Sequence, residues 1–216
     1  DREGYSVSMD GYSEHMSALV SRFAGAFLHL HRSQKQFQQA RSKLLNAMQD
    51  VSSQMPVQHA LESLSVVTTS SMFSRQETAE SLKKIDDRAF EEYLSQLRTS
   101  GLRVQMLATG NVDETGAKTL ADMFLSELGT KHLLTKAESA STRILNVSRA
   151  MQVRLHNPMV GDNNSATVDM YQFGVPGIAE RVKVLMLGQM LANDVYDRLR
   201  TQQQLGYVVG SAVTQQ

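Results

Sequence analysis

The feature of the sequence that most constrains the fold is a long apolar segment close to its end, residues 178–200. Its apolar residues recur at helical spacing but occupy more than one face, as Val182, Leu185, Met186 and Met190 show. A helix that is apolar on more than one face is typical of a protein interior. The sequence therefore predicts a long helix that is largely buried between other elements.

The spacing of the apolar residues changes after this helix. In "GYVVGSAV", residues 206–213, they alternate, which is typical of a strand. "YSVSM" near the start alternates in the same way, and "GLRVQMLATGN" predicts a buried strand that ends in a glycine turn. "MQVRLHN" and "SATVDMYQFG" flank the turn-forming residues "GDNN", which predicts a β-hairpin.

The remaining helices are predicted by their apolar spacing and their caps. Ser13 and Asp113 suit the N-cap position, and Pro56 suits the first turn of a helix. These helices are predicted over residues 13–31, 37–51, 56–67, 77–85, 87–98 and 113–128. Together with the strands, they predict an α+β fold in which helices pack on mostly antiparallel sheets.

A change of composition divides the chain. From Gly129 to Thr142 the apolar spacing is lost, and small or polar residues dominate, as in "TKAESAST". Such a stretch is typical of a connection rather than of a helix or strand. We therefore predict two lobes, residues 1–130 and 143–216, joined by a linker at residues 131–142.

The composition excludes several classes of function. Lysine plus arginine and aspartate plus glutamate number 22 each, so the basic excess expected of a nucleic-acid partner is absent. The apolar runs are shorter than the ~20 residues of a membrane helix, so no membrane partner is expected. The sequence has no cysteine, which excludes disulfides and thiolate metal sites and permits a reducing compartment. Because it begins with Asp1 rather than methionine, we expect an excised part of a longer protein.

The histidines do not form a recognisable metal motif. His29 and His31 are two residues apart, so on a helix their side chains diverge. Neither H-E-x-x-H nor H-x-x-E-H occurs, and these motifs place two imidazoles on one helical face beside a glutamate. We therefore expect no metal site and no catalytic residue in this chain.

Arg200 and Tyr207 lie on either side of the predicted change from helix to strand. An arginine in the last helical turn is favoured by the helix dipole. A tyrosine at the start of a strand often buries its ring and hydrogen-bonds its hydroxyl. From these residues alone, the structural interpretation is favoured over a binding site.

The same segment resembles a family signature. "LRTQQQLGYVV", residues 199–209, is similar to L-R-T-x-x-Q-L-G-Y-x-V of the pitrilysin/insulin-degrading-enzyme family of zinc metallopeptidases. Three further stretches agree in the same order: "GYS" at Gly11–Ser13, "PVQHA" at Pro56–Ala60 and "GNV" at Gly110–Val112. The resemblance therefore extends over nearly the whole chain.

The resemblance implies a part of a larger enzyme. Such enzymes have four related α/β domains around a chamber, and the first carries H-x-x-E-H with a distal glutamate. This chain resembles the later part of the third domain and the earlier part of the fourth. The implied function is a non-catalytic C-terminal segment of a zinc-dependent endopeptidase, with zinc in the catalytic domain and none here. The implied partners are peptide substrates and the catalytic half of the same protein, and a homo-oligomer is left open.

The resemblance also implies a role for two residues. In the family, the arginine and tyrosine that match Arg200 and Tyr207 reach the substrate near the scissile bond. A guanidinium fork and a phenol both suit a carbonyl or oxyanion, and Gly206 is expected to allow the turn that aims them. The alternative is a scaffold or partner subunit of the same fold that has lost its zinc ligands. An H-x-x-E-H motif elsewhere in the protein distinguishes the two.

Overall fold

The computed structural model of the chain describes residues 4–28, 33–51, 54–129, 133–139 and 141–214. A short 3-10 turn, Ser13–His15, precedes the first helix. The α-helices are α1 (Met16–Leu28), α2 (Gln34–Gln49), α3 (Pro56–Thr68), α4 (Arg75–Lys84), α5 (Asp87–Thr99), α6 (Glu114–Leu128) and α7 (Ile178–Tyr196). The predicted helices are confirmed over most of their length, and α7 continues as a π-helical turn, Asp197–Gln202.

The predicted α+β fold with antiparallel sheets is wrong. The part of the chain that the structure describes is helical and contains no sheet, and its β-type pairing is limited to two isolated bridges. One joins Thr69 and Ile144 in the antiparallel sense, and the other joins Leu102 and Leu133 in the parallel sense. The segments predicted as strands lack the ladder of hydrogen bonds that defines a sheet.

The second segment of the predicted hairpin bonds to backbone that precedes the hairpin. The amide of Gln172 donates to the carbonyl of Leu145 at 2.8 Å and accepts from the N–H of Val147 at 2.9 Å. These are the backbone groups that a neighbouring strand would use. The turn at "GDNN" does form, since the N–H of Asp162 donates to the carbonyl of Met159 at 3.3 Å. The alternating sequence predicted the turn but not the contact of Gln172 with residues that precede the hairpin.

The residues fall into two compact units. The first unit contains Asp1–Asp50 and Phe73–Thr142, and the second contains Val51–Met72 and Arg143–Gln216. Helices α1, α2, α4, α5 and α6 belong to the first unit, whereas α3 and α7 belong to the second.

The first unit is held together by apolar packing between α1 and α6. Val20 and Ala24 of α1 are buried, as are Leu120 and Leu128 of α6. The ring of Phe23 stacks on that of Phe124, with 6.2 Å between centroids and 8° between planes. Burial of such side chains is the main favourable term in folding, so this pair of helices forms the core of the unit.

Two arginines join α2 to α4 in a reciprocal way. Arg41 of α2 donates through Nε to the carbonyl of Leu82 and through Nη2 to that of Lys83, both at 2.8 Å. Arg75 at the start of α4 donates to carbonyls at the end of α2, including that of Asp50 at 2.9 Å. The last carbonyls of a helix have no partner within it, so each arginine satisfies the end of the other helix.

Side chains cap the starts of α2, α4, α5 and α6. The side chain of Asp113 accepts from the N–H of Gly116 at 2.7 Å, which confirms the predicted cap of α6. The hydrogen bonds from Ser74 lower the pKa of Glu77 in the capping box of α4. This cap therefore stabilises α4 at pH values above the usual glutamate pKa and is lost as the pH falls through the lowered value. The predicted Ser13 cap is wrong, because Ser13 begins the 3-10 turn.

The second unit lacks an apolar core among its described residues. Its buried side chains are Thr68 and Thr69, at the end of α3, whereas the buried apolar side chains lie in the first unit. The predicted burial of α7 is wrong, since Met186 is 60% and Met190 is 72% exposed. Close packing on α7 is seen at Gly188, where an added Cβ would collide with Cγ2 of Val213. The described segments of the unit leave most of α7 uncovered.

We predict that Arg41→Ala lowers the free energy of unfolding by ~1–2 kcal/mol, because two helix-end carbonyls lose a charged donor. Urea denaturation followed by far-ultraviolet circular dichroism measures the change. Arg88→Ala is the matched control, because Arg88 pairs with Glu92 in an exposed ion pair at 2.9 Å. Such a pair contributes roughly 0.5 kcal/mol or less. Equal losses of unfolding free energy in the two variants would contradict the role of Arg41 in joining α2 to α4.

Candidate functional site

The candidate site lies where α7 ends. The π-helical turn Asp197–Gln202 is followed by Gln204, whose φ of 51° is left-handed. The N–H groups of Gln203 and Leu205 donate to carbonyls of this turn at 2.9 and 3.0 Å. Turns of π-helix are rare and are frequently found at functional sites.

The residue that reverses the chain differs from the prediction. Gly206 was expected to make the tight turn, but its φ is not in the left-handed region. Gln204 adopts that conformation instead, two residues earlier. A side chain is strained there, since left-handed backbone costs ~1–2 kcal/mol for a residue with a Cβ.

The structure brings Arg200 and Tyr207 together. Cζ of Arg200 lies 5.1 Å from the centroid of the Tyr207 ring, which is the geometry of a cation–π contact. Both side chains line an open pocket of about 580 Å³. The full lining is Tyr196, Arg200, Thr201, Gln204, Gly206 and Tyr207.

The polar groups of Arg200 and Tyr207 are available to a ligand. The carboxylate of Asp197, one turn before Arg200, accepts from Nε2 of Gln202 at 2.6 Å. Within the described residues, Arg200 makes no salt bridge and the Tyr207 hydroxyl makes no hydrogen bond. Tyr207 is 86% exposed, so the interpretation of a buried ring is wrong. Arg200 does lie in the last turn, where the helix dipole favours a cation.

This arrangement presents donors without a competing acceptor. The guanidinium offers a planar fork of N–H groups, and the phenol offers one O–H. The contact between guanidinium and ring holds the two groups near each other and contributes ~0.5–1 kcal/mol at an exposed position. The pocket is therefore chemically suited to a carbonyl or carboxylate oxygen.

Three of the lining residues were not predicted from the sequence. Tyr196 and Arg200 are four residues apart, a spacing that places helical residues on one face. Thr201 and Gln204 belong to the signature-like segment, but no role was assigned to them. The helical spacing was the available signal for Tyr196, whereas the position of Gln204 depends on its left-handed backbone.

The described residues do not gather a metal-binding set. No group of three or more His, Cys, Asp or Glu side chains lies close enough to hold an ion in the part of the chain that is described. His29 and His31 lie outside the described residues. Among the described helices, none is both long and apolar enough to cross a membrane.

Two family descriptions match separate parts of the chain. Residues 1–81 match the middle or third domain of peptidase M16. Residues 186–216, which include the whole pocket, match the PQQ synthase PqqF-like family, C-terminal lobe domain 4. The second match therefore covers the candidate site.

Curated relatives match nearly the whole chain at low identity. Insulin-degrading enzyme of Homo sapiens is 22% identical over 212 residues, which is 96% of this chain and 21% of that protein. Insulin-degrading enzyme of Drosophila melanogaster is 21% identical over 225 residues, 97% of this chain and 22% of that protein. Protease 3 of Escherichia coli is 23% identical over 206 residues, which is 95% of this chain and 21% of that protein.

The chain thus spans about a fifth of the length of the curated relatives that it matches. The family descriptions and these relatives agree with the resemblance of residues 199–209 to a pitrilysin-type signature. Together they support a relationship to the M16 peptidases, of which this chain is similar to a segment.

Proposed function

We propose that this chain is a non-catalytic segment of a zinc-dependent endopeptidase that degrades peptides in an enclosed chamber. In this proposal, Arg200 and Tyr207 contact the substrate opposite the zinc-bearing domain, near the bond that is cut. The observation that carries the proposal is the 5.1 Å approach of the Arg200 guanidinium to the Tyr207 ring in one pocket. The similarity of the segment to M16 peptidases supports it.

The chemistry of the pocket fits a peptide carbonyl. An extended peptide that leaves water needs partners for its carbonyl oxygens, because an unpaired buried polar group is costly. Arg200 can supply two parallel N–H donors to such an oxygen or to a carboxylate. Tyr207 can supply one O–H donor at the end of a rigid ring. These two residues bind and orient the carbonyl, and they stabilise negative charge that develops on its oxygen.

Zinc belongs to the proposal only through the rest of the protein. The described residues of this chain hold no ligand set for it, so no step is assigned to a metal here. In the complete enzyme, the zinc would polarise the same carbonyl or activate water. The residues of this chain act on the substrate by binding, orientation and hydrogen bonding.

The alternative function is a zinc-free scaffold or partner subunit. The exposed apolar residues of α7 favour it, since such surfaces mark contacts with other proteins. An H-x-x-E-H motif elsewhere in the protein supports the peptidase, and its absence supports the scaffold. Zinc content and peptidase activity of the complete protein test the same choice.

We predict that Tyr207→Phe lowers kcat/KM of the complete enzyme about 10- to 1,000-fold, the effect of losing one donor to developing charge. The melting temperature and zinc content should stay unchanged, because the ring is retained and no ligand is removed. Tyr171→Phe is the matched control, since Tyr171 is 80% exposed and outside the pocket. Equal kinetics in the two variants would return Tyr207 to a surface role.

We predict that Arg200→Lys also reduces kcat/KM, because lysine keeps the charge but loses the planar fork. Arg154→Lys, at an exposed position outside the pocket, is the control and should keep normal kinetics. A fall in melting temperature with normal activity per folded enzyme would show that Arg200 only stabilises the end of the helix.

A further inference from the structure

Gln204 lines the pocket but has no role in the proposed contact with the substrate. It shares the lining with Arg200 and Tyr207. The residue is exposed, and its carboxamide makes no hydrogen bond within the part of the chain that the structure describes. The carboxamide of Gln204 is therefore available to a ligand in the same pocket.

Three consecutive glutamines, residues 202–204, have different environments at the end of α7. Nε2 of Gln202 donates to the carboxylate of Asp197 at 2.6 Å, so this carboxamide is occupied. Gln203 is exposed, and the described lining of the pocket includes Gln204 but neither of the other two. Gln204 thus combines a place in the pocket with an unoccupied carboxamide, and Gln203 provides a matched residue outside the lining.

Hydrogen bonds on both sides of Gln204 fix its backbone. The N–H groups of the residues before and after it donate to carbonyls of the π-helical turn Asp197–Gln202, at 2.9 and 3.0 Å. The same turn carries Arg200. Two binding groups on one fixed segment need less ordering when a ligand binds to both, which favours a joint role.

A peptide bond presents one acceptor and one donor, and the groups of the pocket differ in which of these they can meet. The guanidinium of Arg200 has donors but no acceptor, so it can bind a peptide carbonyl but not a peptide N–H. The carboxamide of Gln204 carries an acceptor oxygen as well as an NH₂ donor. It can therefore accept from a peptide N–H in the pocket where Arg200 binds a carbonyl.

We propose that Gln204 is a third substrate-binding residue, whose carboxamide oxygen accepts from a peptide N–H next to the carbonyl that Arg200 and Tyr207 bind. This rests on the proposed function. The ligand class is a polypeptide backbone with a free N–H at that position, so an ester there is a poorer ligand. A peptide N–H that takes no part in the reaction gains no charge in the transition state. Loss of the contact therefore weakens binding and leaves the chemical step unchanged.

The test uses the complete protein and a short quenched fluorescent peptide that it cleaves. Gln204→Met keeps the length of the side chain but removes both hydrogen-bonding groups. We expect KM to rise about 3- to 10-fold, the scale of one neutral hydrogen bond, with kcat and the melting temperature unchanged. Gln204→Ala should give the same rise. Gln203→Met is the matched control and should keep a normal KM.

The substrate side of the contact is tested with the same peptide carrying one ester in place of one amide, at each bond in turn. An ester removes the N–H and adds no bulk. In the unsubstituted enzyme, one position should raise KM. At that position Gln204→Met should cause no further rise, because the hydrogen bond is already absent. Losses that add at every position would overturn the proposal.

Two other outcomes would also overturn it. Thr201 carries a hydroxyl in the same lining, so a KM that rises in Thr201→Val but not in Gln204→Met would assign the peptide N–H to Thr201. A joint fall in kcat and melting temperature in Gln204→Met would show that the residue shapes the turn and does not bind the substrate.

The kinetics also distinguish failure of this proposal from failure of the proposed function. If Tyr207→Phe and Arg200→Lys lower kcat/KM and Gln204→Met is normal, the proposed function stands and the role of Gln204 is wrong. If all three variants are normal, or if the complete protein does not cleave peptides, both are wrong.

Discussion

Covering apolar side chains is the constraint on which both units depend, and they meet it differently. In the first unit, α1 and α6 pack against each other, and Val20, Ala24 and Leu120 leave water. In the second unit, α7 carries more apolar residues than its own neighbours cover. Arg41 and Arg75 also join neighbouring helices in the first unit. In the second unit, Val213 packs against Gly188 of α7.

The helices were predictable because their signals are local. Apolar spacing and caps such as Asp113 act within a few residues, and the structure confirms α2 to α6 with small shifts at their ends. The sheets were not predictable in the same way, because an alternating segment becomes a strand only when another strand meets its backbone. Gln172 satisfies the backbone near Leu145 with a side chain, and no alternation in the sequence reveals that. The predicted burial of α7 failed for the same reason, because burial requires distant partners that the apolar spacing does not specify.

The candidate site was also predicted only in part from the sequence. The signature-like segment singled out Arg200 and Tyr207, and the structure places them against each other. Gln202 donates to the carboxylate of Asp197, and among the described residues no salt bridge joins that carboxylate to Arg200. Neither this contact nor the π-helical turn is indicated by a periodic pattern in the sequence. Geometry therefore adds Tyr196, Thr201 and Gln204 to the two residues that the sequence indicated.

The left-handed backbone at Gln204 has a consequence for substitutions in the turn. Glycine adopts this conformation without strain, and Gly206 stands two residues away in an ordinary conformation. Replacing Gln204 with glycine would therefore relieve the backbone strain. Glutamine there costs ~1–2 kcal/mol of backbone strain and places an amide in the wall of the pocket. In the proposed function, this strain falls at a position that lines the pocket, as is common at functional sites.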